Sequence, residues 1–120
     1  MTKNESRNLR CRELGINIGQ YPSGRWNAVT DVKGVRVGHE TVVHGSGKLR
    51  PGKGPARTGV TVLMPCGGDI WRAKLPSGVY ILNGNGEATG LMWVHESGIL
   101  ETPIAFTNSL SVGTVHRALV

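Results

Sequence analysis

Gly59-Val60-Thr61-Val62-Leu63-Met64, closed by Pro65, is a short β-branched apolar run and reads as the interior strand of the chain. The rest of the fold can be read outward from it. On its N-terminal side, residues 44–57 (HGSGKLRPGKGPAR) place Gly45, Gly47, Gly52 and Gly54 among polar and basic residues, with Pro51 and Pro55 interrupting regular structure. That composition predicts a long surface loop or lid. Before it, Val35–Val43 (VRVGHETVV) puts Val35 and Val37 on one side of a strand and Arg36 on the other. Lys33-Gly34 is a turn, and Asn27–Val32 (NAVTDV) alternates loosely. The pattern predicts a hairpin of a short strand, a turn and a longer strand.

On the C-terminal side, Cys66–Pro76 is a turn-rich excursion carrying Asp69, Trp71, Arg72 and Lys74. Gly78–Leu82 (GVYIL) and Leu91–Val94 (LMWV) are apolar runs flanking Asn83-Gly84-Asn85-Gly86-Glu87, which reads as a second hairpin. Glu96-Ser97-Gly98 is the next turn and Pro103–Thr107 (PIAFT) the next strand. From Ser109 the period changes. Val112, Val115 and Leu119 recur as one buried helix face would, with Ser109 or Ser111 as its cap. The apolar pattern runs to Val120 without a closing Gly, so the expectation is that Val120 is a fragment boundary, a cut or the last residue resolved. Residues 1–12 read as a polar tail, and 14–26, with three Gly and a Pro, as an extended, turning segment with a turn at Pro22-Ser23-Gly24. The coarse order is mostly strands followed by a helix, an α/β sheet with a helical layer on it.

Composition narrows the function classes. The 18 glycines among 120 residues are about twice ordinary usage. They imply many tight turns. Aromatics are 5% of the chain, which makes a thin core and favours a partner chain. Residues 1–60 hold 11 Lys/Arg against 4 Asp/Glu, a charge of +7, and residues 61–120 hold 3 against 4, a charge of −1. The basic residues are scattered over turns, with no basic helix stripe, zinc-finger spacing or aromatic platform. Solvated loops or contacts to acidic parts of a partner explain them better than nucleic acid does. Cys11 and Cys66 form no CxxC pair, and two unpaired thiols are the simpler reading. No stretch approaches 18 apolar residues, and no apolar leader is visible. The expected compartment is the cytoplasm, or the periplasm if a leader was removed.

Chemistry-bearing motifs are sparse. His39-Glu40 and His95-Glu96 each begin an H-E-x-x-H motif that no second His completes, and no G-x-S-x-G elbow exists. No metal or cofactor is called for. Gly84, Gly86 and Gly90 loosely resemble a phosphate loop, but an apolar strand is expected after them where that motif needs a helix. The Asn83–Glu87 turn holds the better candidates. Asn83 and Asn85 present amides able to hold a substrate backbone or oxyanion, unless they serve only a turn that needs positive φ. Glu87 and Glu96 are carboxylates suited to a free amino group, or else solvated turn charges. Trp93 can wall a side-chain pocket or sit in the core. Asn108, where a strand meets the last helix, faces a cleft or caps the helix.

Several blocks together resemble one family. They are Arg12-Glu13-Leu14-Gly15, Pro22-Ser23-Gly24, Asn27–His39 (NAVTDVKGVRVGH), Arg57-Thr58-Gly59-Val60-Thr61, Leu82–Glu87 (LNGNGE), Trp93–Gly98 (WVHESG) and Thr107–Gly113 (TNSLSVG). In this order they resemble the opening of the L-aminopeptidase/D-esterase family, which includes D-aminopeptidases and β-peptidyl aminopeptidases. The resemblance implies a four-layer αββα sandwich like that of N-terminal nucleophile hydrolases, with different connectivity. Residues 13–120 would form its N-terminal portion, within the larger subunit. It also implies a precursor that cleaves itself at a Gly-Ser bond. The freed Ser, on a smaller subunit, would be the nucleophile in an acyl transfer that releases N-terminal residues from peptides, amides or esters.

On that reading no catalytic residue lies in this chain. Asn83, Asn85, Glu87, Trp93, Glu96 and Asn108 would contribute a substrate-binding rim. The partners would be the downstream remainder of the larger subunit and the smaller subunit, in an oligomer of heterodimers, with neither nucleic acid nor membrane. His95, where relatives often carry an acidic or amide residue, and Ser109-Leu110, in place of a more polar pair, are departures that bear on substrate preference. A non-hydrolytic scaffold or binding relative of the same fold is the alternative, followed by a basic nucleic-acid-binding domain.

Overall fold

The structure, a computed structural model, describes residues 9–120. Its organising element is a three-stranded antiparallel sheet. Strand β1 (Arg36–His44) pairs with β2 (Ala56–Met64), and β2 pairs in turn with β5 (Ile104–Phe106), which places β2 in the middle, where its β-branched sequence predicts it. The β1–β2 register runs unbroken from Arg36 opposite Met64 to His44 opposite Ala56. Strand β5 (Ile104–Phe106) completes the sheet, with Thr61 opposite Phe106 and Leu63 opposite Ile104. The period of two then sorts the faces. Val37, His39, Thr41 and Val43 share one face with Gly59, Thr61, Leu63 and Phe106, and Glu40, Val60, Val62 and Ala105 lie on the other. The expected loop joins β1 to β2. Arg57 staples its base, donating to the carbonyls of His44 (3.0 Å) and Gly45 (2.9 Å).

A second, two-stranded ladder pairs β3 (Leu75–Pro76) with β4 (Ile99–Leu100). Between these strands lies α2 (Leu91–Ser97), and before them α1 (Ile70–Ala73). The chain closes on a 3-10 turn (Ser109–Ser111) leading into α3 (Val112–Leu119), on which Val112 and Val115 are half-buried while Leu119, expected on the same face, is 42% exposed.

Three expectations are corrected. The segment 27–32 is not a strand but a 3-10 turn at Val29–Asp31, because the Asp31 carboxylate accepts the N–H groups of Trp26 (2.9 Å) and Ala28 (3.2 Å). The hairpin around Asn83–Glu87 does not form. Residues 78–82 are unpaired, and Leu91–Val94 opens a helix that takes in Glu96 and Ser97, the predicted turn. Left-handed Gly90 (φ 79°) and Gly98 (φ 67°) bound that helix, and the half-buried residues are Leu91, Val94 and Ser97, a helical spacing. The last helix is capped by neither serine. The Asn108 side chain accepts from Ser111 N (3.1 Å). Within Cys66–Pro76, the Asp69 side chain caps the short α1 by accepting from Arg72 N (3.3 Å).

Part of the predicted tail, residues 1–8, lies outside the described residues. Its end is ordered as the 3-10 turn Cys11–Leu14. Cys11 and Cys66 are free.

The described chain is open. Its radius of gyration is 18.4 Å, against about 14 Å for a compact domain of this length. Among the described residues Ile70 is the only buried hydrophobic side chain, while Tyr80, Leu82, Met92 and Leu110 are more than four-fifths exposed. The sheet and helices are framed mainly by backbone hydrogen bonds, and the apolar faces they create remain uncovered.

Candidate functional site

Asn83 and Asn85 share one turn. The Asn83 side-chain oxygen accepts the backbone N–H of Asn85 at 3.0 Å, an Asx-turn. Neither has positive φ, a property that among non-glycine described residues belongs to Asn27 and Lys74. The turn therefore needs the Asn83 side chain for its hydrogen bond and not for left-handed backbone. Asn85 and Glu87 are exposed beyond it. The loop is tied to α3, since the Thr89 hydroxyl lies 3.1 Å from His116 Nδ1.

The glycines at 84, 86 and 90 precede a helix, contrary to the expectation of a strand there. No paired strand leads into them, so the strand–glycine–helix phosphate arrangement is still not formed.

Trp93 and Glu96 stand three residues apart on α2, hence on neighbouring positions of one helix surface. Trp93 is 53% exposed, so it is not a core residue. Its carbonyl accepts from Ser97 Oγ (2.7 Å), and its indole N–H donates to Glu101 Oε2 (3.2 Å). The other Glu101 oxygen is bound by Lys74 Nζ. Hydrogen bonding to Lys74 holds the Glu101 carboxyl below its ordinary range. Desolvation opposes this shift, and the Lys74 charge and the Trp93 N–H add to it. Lys74 and Glu101 escaped sequence reasoning. The available signal was an acid set directly after the apolar pair Ile99-Leu100.

Asn108 stands at a different junction. Its Nδ2 donates to Thr58 Oγ1 (2.7 Å) and Ser111 Oγ (2.9 Å), while its Oδ1 caps the 3-10 turn. It thus fulfils the capping reading and also locks the helix start to β2. The structure brings Asn83, Asn85 and Glu87 into one loop and Trp93 and Glu96 onto the helix that follows. Asn108 begins the segment whose helix the loop touches through His116.

Two broad surface concavities lie elsewhere. One of about 520 Å³ is walled by Arg12, residues 18–24, residues 27–29 and Asp31. The other, about 470 Å³, lies on the sheet face around His39, Thr41, Arg57 and Thr61. None of the six candidates lines either. Both hollows are shallow stretches of the uncovered surface, and the amide and carboxylate chemistry lies on the 83–97 segment. No grouping of three His, Cys, Asp or Glu residues suited to a metal ion occurs among the described residues. No helix among them is long and apolar enough to cross a membrane.

The chain thus combines an antiparallel sheet, open apolar faces and a loop–helix segment bearing amides, carboxylates and an exposed indole. The chain belongs to Peptidase family S58, which residues 27–120 match. It is 44% identical over 111 residues to the beta-peptidyl aminopeptidase BapA of Sphingosinicella microcystinivorans, covering 92% of this chain and 28% of that protein. A solved structure from Pyrococcus horikoshii superposes with a TM-score of 0.89 at 49% identity, covering 92% of this chain and 31% of that one. The L-aminopeptidase D-Ala-esterase/amidase of Ochrobactrum anthropi superposes with a TM-score of 0.72 at 36% identity, covering 92% of this chain and 30% of that one. It is described as a prototype for the serine aminopeptidases and a new variant among the Ntn hydrolase fold. The expected fold class, α/β of the Ntn-hydrolase kind, therefore stands. The chain spans about 28% of the length of the BapA relative.

Proposed function

We propose that this chain is the N-terminal portion of a serine aminopeptidase that releases N-terminal residues from short peptides, amides or esters by acyl transfer. The observation that carries the reading is its 44% identity to a beta-peptidyl aminopeptidase over 92% of its length. The nucleophile is the N-terminal Ser of a smaller subunit, freed by self-cleavage, with its own α-amino group as the base. This chain supplies scaffold and rim. Glu87 and Glu96 receive the substrate's free ammonium by charge-assisted hydrogen bonds. Asn85 bonds the substrate backbone, with Asn83 shaping the turn that presents it, while Asn108, its amide engaged by Thr58 and Ser111, holds the scaffold beneath the rim. Trp93 walls the first side-chain pocket. The uncovered apolar surface, with Leu82 84% and Met92 88% exposed, supports a partner that packs against it, namely the rest of the larger subunit and the smaller one, assembled as an oligomer of heterodimers.

The test is denaturing intact-mass analysis of the purified full-length protein, with N-terminal sequencing of every chain. Hydrolysis of L-, D- and β-aminoacyl p-nitroanilides is measured on the same material. The expected result is two chains, the smaller beginning with Ser, and turnover that its replacement by Ala abolishes. A single uncut chain that hydrolyses none of the substrates overturns the proposal.

A further inference from the structure

Strands β3 and β4 pair Leu75 with Leu100, and one step further the same register sets Lys74 beside Glu101. Lys74 is held there with φ 49° and ψ 60°, ending α1, and its ammonium lies 4.1 Å from the ring centroid of Trp71. That ammonium bonds one oxygen of Glu101, and the other oxygen accepts the indole N–H of Trp93 at 3.2 Å. The Glu101 side chain is 11% exposed, and each of its oxygens has a protein partner. Trp93 is therefore fixed twice, by Ser97 at its backbone carbonyl and by Glu101 at its ring nitrogen.

We propose that Glu101, anchored by Lys74, is a positioning residue that sets the plane of the Trp93 indole and thereby determines which first side chains the substrate site accepts. The inference rests on the aminopeptidase reading and on Trp93 as the pocket wall. An indole has two rotatable side-chain bonds, and half its surface here is free. Without a partner at Nε1 the ring can turn about its second bond and change the width of the space it borders. A charged acceptor makes that hydrogen bond one of the stronger kind. Lys74 keeps the acceptor ionised and in place, and the face of Trp71 lies over the ammonium. The two indoles and the ion pair thus join α1, α2 and the β3–β4 ladder at the point where the wall must be rigid.

The test uses the full-length processed enzyme and compares kcat/KM for aminoacyl p-nitroanilides with small and bulky first side chains. Glu101→Leu is expected to change the bulky-to-small ratio by about tenfold, with Glu101→Gln, which still accepts from the indole, staying within about threefold of wild type. Lys74→Met is expected to fall between them. Trp93→Leu is the control for the wall itself. In parallel, the Trp93 indole N–H resonance, assigned with Trp93→Phe, is expected to shift strongly in Glu101→Leu and weakly in Glu101→Gln. If Trp93→Leu alters the ratio but Glu101→Leu and Lys74→Met do not, the positioning role is overturned and the aminopeptidase reading stands. If neither residue alters the ratio in an active enzyme, Trp93 is no wall and the inference is overturned. A wild-type enzyme without aminopeptidase activity overturns the reading, and the inference about selectivity with it. An indole resonance unmoved by Glu101→Leu overturns the inference whatever the activity.

Discussion

Asn108 Nδ2 donates to Thr58 Oγ1 across 2.7 Å, joining residues 50 positions apart. The same side chain accepts the N–H of Ser111, so one amide both starts the last helical segment and ties it to the central strand. Close by, the Thr107 hydroxyl donates to the Gly59 carbonyl at 2.9 Å. Two consecutive residues thus dock the β5–α3 junction onto β2.

Asn108→Ala removes the cap and both donors. It is expected to cost about 1 kcal/mol, the usual value of such a cap. Asn108→Asp keeps the acceptor and lets the Thr58 and Ser111 hydroxyls donate in place of the amide, so it should stay within about 0.5 kcal/mol of wild type. Urea denaturation of the full-length protein checks both. Equal destabilisation by the two substitutions would mean that the amide donors matter more than the cap.

Gly59→Ala brings a methyl group into the sheet itself. A Cβ there would lie 2.6 Å from the Glu40 carbonyl oxygen and 3.4 Å from Thr41 Cα on the paired strand. The strands must separate or the residue shift, at about 1–3 kcal/mol. At Gly38 a Cβ meets nothing within 4 Å, so Gly38→Ala should be near neutral, within about 0.5 kcal/mol. The pair is compared by chemical denaturation, and equal effects would sink the close-approach argument.

What the sequence made legible follows from how local each signal is. The strands read at 35–43, 59–64 and 103–107 show as alternation or as short apolar runs, and the closing helix as a three-to-four residue period; strands form at 36–44, 56–64 and 104–106 and a helix at 112–119, with β2 reaching back into what reads as loop. Leu91–Val94 reads as either strand or helix because four apolar residues in a row satisfy either period. What decides for a helix is Gly90 and Gly98 in the left-handed region, together with Glu96 and Ser97 extending the segment. Asn27–Val32 alternates like a strand yet turns, because one carboxylate, Asp31, collects backbone N–H groups that a strand would have offered to a neighbour. The candidate residues on 83–97 were recognisable by type. Glu101 and Lys74 were not, since their pairing depends on a two-residue ladder that joins chain positions 27 apart.

Asp31 and Gly24 form a coupled pair. The carboxylate that accepts from Trp26 and Ala28 occupies the space a side chain at residue 24 would need, with Oδ2 only 2.5 Å from a Cβ built there. Asp31→Ala should cost about 1–2 kcal/mol through the lost backbone partners, and Gly24→Ala a comparable amount by displacing the same carboxylate. In the double variant the carboxylate is already gone, so the two costs should add to clearly less than their sum. A double-mutant cycle on denaturation free energies measures this. Strict additivity would show that Gly24 is needed for some reason other than room for Asp31.

The acid limb of stability should report on Glu101. Its carboxyl titrates below the ordinary range because Lys74 hydrogen-bonds it, against desolvation and with help from the Lys74 charge and the Trp93 N–H. A depressed folded-state pKa means that the unfolded chain binds the proton more readily. The stabilisation is therefore fully present above the ordinary carboxylate range and is lost as pH falls through the folded-state value. Glu101→Gln removes this linkage. Its melting temperature should lie below that of wild type by a constant amount near neutrality, and the gap should close as the solution is acidified through the ordinary carboxylate range and on below the folded-state value. Lys74→Met removes the main cause of the depression, so its gap to wild type should narrow over the same interval. Melting curves of the full-length protein at a series of pH values decide the matter. Parallel curves for wild type and Glu101→Gln down the whole acid limb would mean that the Lys74–Glu101 bond does not favour the ionised carboxylate.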